Sequence, residues 1–260
     1  MPSSNRGRTG LLALAAVLVS LLGACSSRSG PAAPGASVGQ QQDAAVPTAV
    51  SQTVLVSTTG ERLNLASLEG KVLVVSDVMT LCQETCPLDT ANVVAAARTV
   101  DRAGLGNKIE FLSITIDPNR DNPAHLRAYR RLYAPAPTNW LVLTSTPRQL
   151  TSFWQDLGVY IQHVPDTPPA PHDWLTGQPL TYDLTHSDEL FFLDTRGRER
   201  YLLEGAPHVT AGAPIPATLR RFLDATGQHN LTQPDPLAWT EPQLLQVLAW
   251  LTGRAFHIPS

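Results

Sequence analysis

Apolar residues fall in short continuous runs separated by stretches with helical spacing. Val72 to Val75 is unbroken and β-branched, the pattern of a strand covered on both faces. Ile109 to Ile116 reads as a second buried strand and Trp140 to Leu143 as a third. Glu189 to Asp194, the turn Arg196-Gly197 and Glu199 to Leu203 predict a hairpin, and Val54-Leu55-Val56 with Arg62-Leu63-Asn64 predicts a smaller one around Thr59-Gly60. Between these strands, Pro87 opens an alanine-rich helix through Ala91 to Val100. Asn122-Pro123 reads as N-cap and first residue of a helix to about Tyr133, and Thr146 as the cap of a helix over Pro147 to Leu157. Gly158 to Gln162 reads as a short strand, Pro165 to Pro179 as an exposed proline-rich loop, and Pro216 to Ala225 as a closing helix.

Strands alternating with helices predict an α/β sheet covered on both sides. The terminal hairpin, the last helix and a Cys-x-x-x-Cys at the first helix narrow this to a thioredoxin-like fold, a central mixed sheet flanked by helices, over residues 51–228. A C-terminal helical extension follows over 229–260. There Leu244, Leu245, Leu248 and Leu251 lie on one side of a helix, to pack on the domain or to dock a partner. Residues 25–50 are rich in small and polar types and read as a flexible tether.

Ahead of the tether come Arg6 and Arg8, the apolar run Leu11 to Leu22, and Gly23-Ala24-Cys25. That order is a secretory signal over residues 1–24, and the run is too short for a comfortable membrane span of ~20 residues. Leu22-Gly23-Ala24-Cys25 resembles the bacterial lipobox, which implies lipid on Cys25 and an anchor on the extracytoplasmic face of a bacterial membrane. A plain cleavable signal with a stray cysteine is the alternative.

The 260 residues carry 19 Lys and Arg against 22 Asp and Glu, a net charge of −3, so nothing favours nucleic acid. With 43% hydrophobic residues a sizeable core can form. Of three cysteines, Cys82 and Cys86 lie close together, one turn apart at a helix N-terminus. The helix dipole and free N–H groups there favour thiolates. Two adjacent thiolates make a soft chelate, suited to Cu(I), and an added imidazole makes Cu(II) tolerable. A structural zinc usually takes four protein ligands, and no second cysteine pair exists. Taken alone, the pair is equally the spacing of a local disulfide.

The chain from about Val54 to Leu223 resembles the SCO/SenC family of copper chaperones. The resemblance rests on Gly70-Lys71 before a hydrophobic strand, on Thr80-x-Cys82-x-x-x-Cys86-Pro87, and on Ser113 to Pro123 with Leu126 and Tyr129. Trp140 to Thr144, then His186-Ser187 before Leu190 to Asp194 and Gly197-Arg198, complete it in the family's order. It implies copper held by Cys82, Cys86 and His186. It also implies assembly of the dinuclear copper centre of cytochrome c oxidase, with the oxidase's copper-bearing subunit or another copper chaperone as partner and an extracytoplasmic thiol reductant to keep the pair loadable. The family's aromatic-rich stretch is replaced here by Ser76 to Leu81, which puts a carboxylate, Asp77, five residues before Cys82. Asp183 is placed to orient the His186 ring or to be an exposed loop aspartate, and Asp117 to sit at the site's rim. The competing reading is an extracytoplasmic thiol–disulfide oxidoreductase acting through Cys82 and Cys86. It has against it a spacer of three residues and Thr185-His186-Ser187 where thioredoxin-type catalysts place a cis-proline.

Overall fold

The computed structural model describes residues 1, 30–166, 169–209, 215–236 and 238–257. The expected signal and the lipidation site Cys25 lie outside the described residues. In chain order the elements are β1 Gln40–Ala45, α1 Thr48–Ser51, β2 Leu55–Ser57, β3 Arg62–Leu63, β4 Val72–Val78, α2 Cys86–Arg102, β5 Ile109–Thr115, α3 Pro123–Leu132 and β6 Trp140–Thr144. They continue with α4 Pro147–Asp156, β7 Ile161–Pro165, β8 Tyr182–His186, β9 Glu189–Leu193, β10 Arg198–Glu204, α5 Ala217–Phe222, α6 Ala225–Thr232 and α7 Glu241–Thr252.

One eight-stranded sheet runs β1-β10-β9-β4-β5-β6-β2-β3, and a separate ribbon pairs β7 with β8. β4, β5 and β6 are parallel, joined through α2 and α3, while β9 joins β4 antiparallel. This is the thioredoxin-like arrangement. Every residue of β4 and β5 is buried, the polar Ser76, Asp77, Glu110, Ser113 and Thr115 included, as strands covered on both faces require. Phe111, Tyr129, Trp140, Phe153, Trp154 and Phe192 fill the core on both faces.

Helix starts follow their caps. The Asn122 side chain accepts from the N–H groups of Ala124 and His125, and the Thr146 hydroxyl from Gln149. Beneath them Asp121 is fully buried. Its carboxyl accepts from the Thr80 N–H at 3.2 Å, the Thr80 hydroxyl, and the Thr115 hydroxyl at 2.6 Å. It thereby ties the end of β5 to the segment after β4.

Three expectations need correction. The tether does not extend to residue 50. Residues 40–45 form β1, an edge strand on β10, and Val50 on α1 is fully buried. The Tyr201 hydroxyl donates to the carbonyls of Pro34 and Gly35, at 3.3 and 3.1 Å. A side chain at Gly39 would meet the Leu202 carbonyl at 2.4 Å, so this contact requires glycine. The closing helix, expected over Pro216 to Ala225, breaks at Leu223, and the boundary drawn at 228/229 falls inside α6. The cause is a close approach: the Gln83 carbonyl accepts from the Asp224 N–H at 3.1 Å, and a Cβ at Gly227 would lie 2.1 Å from it. The proline-rich segment is only partly an exposed loop. Pro165 ends β7, Trp174 packs against the core and Leu180 is buried. The α7 helix packs on the domain, with Leu244, Leu245, Val247 and Leu248 in the main core.

Burial first, then the nearby Asp117 charge, raises the Asp121 carboxyl to a pKa of about 7. A folded value above the unfolded ~3.9 means that its contribution to stability is full below ~4 and is lost as pH rises through about 7. Urea midpoints of the wild type should therefore fall from mildly acid to mildly alkaline pH more steeply than those of Asp121→Asn. Equal slopes would contradict this role.

Candidate metal centre

After β4 the chain turns at Met79 and the Cys82 N–H donates to the Met79 carbonyl at 3.1 Å. The Cys82 sulfur accepts from the Glu84 N–H at 3.4 Å. Thr85 caps α2 and Cys86 is its first residue, followed by Pro87 where no amide donor is needed. The pair is thus wrapped around the positive end of a buried helix. Both cysteines are free thiols, Cys82 5% exposed and Cys86 fully buried.

His186 arrives from the other side, as the last residue of β8. Its backbone pairs with Ile161, and the Ser187 N–H donates to the Tyr160 carbonyl at 3.1 Å. His186 Nε2 lies 3.7 Å from Cys86 Sγ, and ligand atoms of Cys82, Cys86 and His186 all lie within 4.8 Å of one another. With bonds of about 2.0–2.3 Å, the range for nitrogen and sulfur on a comparable metal, donors in a trigonal site stand about 3.7 Å apart. The spacing fits one ion among the three.

Oxygen surrounds the other ring nitrogen. Nδ1 has the Ser187 carbonyl at 3.0 Å, Asp77 Oδ2 at 3.2 Å and Asp188 Oδ1 at 3.5 Å. None of these neighbours can donate a proton when the carboxyls are ionised. Nδ1 therefore carries a hydrogen, and Nε2 is the nitrogen that faces the sulfurs, free to ligate once its own proton leaves. Asp77 is held in turn by the Glu189 N–H at 3.1 Å, and Asp188 by the Thr85 hydroxyl at 3.2 Å.

The two thiols are unequal. A hydrogen bond from Cys86, with help from His186, lowers the Cys82 pKa well below the ordinary thiol value, overcoming burial. The same hydrogen bond, together with burial and the Cys82 charge, raises Cys86. One thiolate is preformed, and the second proton leaves when a cation arrives. For His186, burial opposes the charged ring, but Asp77 and Cys82 outweigh it and the pKa moves upward. Burial, then Asp77, lifts Asp188 to about 7.

The remaining candidate residues stand apart from this cluster. Asp183 spends Oδ1 on the Leu184 N–H at 2.8 Å, and among the described residues it makes no hydrogen bond to His186. Asp77 and Asp188 occupy the place expected for it. Asp117 does not reach the three donors. It binds the Arg120 guanidinium and accepts from the Tyr182 hydroxyl at 2.8 Å. Arg120 also donates to the Tyr182 carbonyl and stacks 3.8 Å over that ring. This pair braces the start of β8, the strand that delivers His186. Trp174 braces the cysteine segment by donating to the Thr80 carbonyl at 2.7 Å. The sequence held no motif for Asp188 or Trp174, since their roles depend on pairings distant along the chain.

The profile of the SCO1/SenC family matches residues 41–219. The chain belongs to the SCO1/SenC family. The match begins inside β1 and ends in α5, so α6 and α7 lie beyond it. A SCO2-like protein of Rickettsia conorii is 24% identical over 157 residues, covering 59% of this chain and 69% of the relative. The crystal structure of a SCO1/SenC family lipoprotein from Bacillus anthracis superposes with a TM-score of 0.51 at 21% identity, covering 70% of this chain and 95% of that one. At that identity the likeness concerns the fold. The ScoI of Bradyrhizobium japonicum, solved with copper bound, gives 0.47 at 21% identity over 66% of this chain and 97% of its own.

At neutral pH, limited treatment of the reduced, metal-free protein with iodoacetamide should alkylate Cys82 well ahead of Cys86, read by peptide mass spectrometry. Preferential labelling of Cys86 would reverse the assignment of the preformed thiolate.

Proposed function

We propose that this protein is a metallochaperone that binds copper through Cys82, Cys86 and His186. Its recipient on this reading is the dinuclear copper centre of cytochrome c oxidase during assembly. The observation that carries the reading is the convergence of two sulfurs and one imidazole nitrogen within 4.8 Å, from segments a hundred residues apart. Soft donors of this kind favour Cu(I), and among the described residues no fourth Cys or His joins the cluster, which weighs against structural zinc. Three ligands leave an edge from which a partner's thiolate or imidazole can take the ion by exchange. The partner is the copper-bearing subunit of the oxidase or another copper chaperone. Loading needs both thiols reduced, which calls for an extracytoplasmic thiol reductant. Lipid on Cys25 would hold the protein at the outer side of a bacterial membrane, beside that partner.

The unequal thiols also favour a second reading, a thiol–disulfide oxidoreductase. The Cys82 thiolate would attack a substrate disulfide and release one substrate thiol. Cys86 would then displace the second, leaving Cys82–Cys86 oxidised by two electrons. That exchange needs the imidazole only to favour the Cys82 thiolate and makes no use of it as a third donor beside both sulfurs, which is why the metal reading ranks first.

Anaerobic titration of the reduced protein with copper should saturate at one ion per chain. His186→Ala should lose more affinity than the ~10–100-fold that removing an outer partner of a ligand costs. Wild-type affinity in that variant would reject the third ligand. Rapid insulin reduction with no copper retained would put the oxidoreductase first.

A further inference from the structure

Three carboxyl groups, those of buried Asp77 and Asp89 and of half-buried Asp188, surround the His186 end of the site. Asp77 is 5% exposed; Glu189 holds its Oδ1, and its Oδ2, beside Nδ1, has no hydrogen-bond partner. Asp89 stands one turn along α2 from Cys86, 4% exposed, and its Oδ1 is also unpartnered. Asp188 faces the same ring nitrogen. Among the described residues no lysine or arginine forms an ion pair with any of the three. Arg120, which reaches Met79 near the cysteines, is committed to Asp117 and Tyr182.

Carboxyl oxygens buried without partners are costly unless positive charge answers them. The proposed cargo adds positive charge between the sulfurs and Nε2, beyond what the His186 ring beside Asp77 and Asp188 provides. At a given position a negative group stabilises a dication twice as strongly as a monocation. A carboxylate beside Nδ1–H also makes Nε2 a stronger donor, which favours the borderline Cu(II) over the softer Cu(I). Charge and donor strength act in the same direction.

Resting on the copper reading above, we infer that Asp77 and Asp188 set the oxidation state of the cargo, biasing the site from Cu(I) toward Cu(II). They are positioning residues. They act through His186 and through their field, with Asp89 behind them, and they do not ligate the ion. Asp77→Asn keeps a carbonyl to accept from Glu189 and removes the charge, and Asp188→Asn does the same opposite Thr85.

The test measures Cu(II) and Cu(I) affinities by chelator competition, and the reduction potential of bound copper, for the wild type and both variants of the full chain. Each substitution should lower the Cu(II)-to-Cu(I) affinity ratio at least about tenfold, a rise of about 59 mV or more in the one-electron potential. An unchanged ratio and potential in natively folded variants would overturn the inference. If Asp77→Asn does not fold, Asp188→Asn decides alone. Wild-type protein that binds neither ion would sink the chaperone reading itself. Wild-type protein that binds copper, with variants at the wild-type ratio, would sink only this inference.

Discussion

An imidazole ring offers two nitrogens, and only one at a time is available to a metal while the other carries hydrogen. In this protein the division is imposed by surroundings: oxygen on the Nδ1 side, sulfur on the Nε2 side. That arrangement must hold inside a nearly dry cluster, where an error of about an ångström would leave the donor set without a common point. Much of the architecture around β4, α2 and β8 can be understood as the means of holding it.

The two halves of the cluster come from different structural sources. The sulfurs ride on a segment fixed at both ends, by β4 in the middle of the sheet and by α2, whose start is buried. Asp121 and Trp174 take hold of this segment at Thr80, and the α5–α6 break takes hold of it at Gln83. The histidine rides on a two-stranded ribbon outside the main sheet, with fewer backbone partners. Arg120, clamped between Asp117 and the Tyr182 ring, provides the ribbon's side-chain anchor. A firmly held sulfur side and a lightly anchored imidazole side are what the proposed release of an ion by ligand exchange would use.

How much of this could be read from the chain depends on how far each feature is local. The buried strands were legible because Val72 to Val75 is an unbroken apolar run and Ile109 to Thr115 is mostly apolar, both lying inside the sheet. The Asn122 and Thr146 caps were legible because a cap is made within four residues. Cys82, Cys86 and His186 were legible through motifs that resemble a known family. β1 was not, because Gln40 to Ala45 is polar, mostly exposed and held by backbone pairing that no side-chain pattern encodes. Nor was the partner of Nδ1. Asp183 lies at a plausible spacing from His186, but it turns to its own backbone, while Asp77 arrives from β4 and Asp188 from the turn into β9.

Sulfur and imidazole must share one ion for this site to hold copper as proposed. X-ray absorption spectroscopy of the copper-loaded protein measures that coordination shell directly. Two sulfur scatterers and one imidazole nitrogen, with the outer-ring scattering of a histidine, is the result predicted. A shell built from oxygen and nitrogen alone, or two sulfurs with no imidazole, would contradict it.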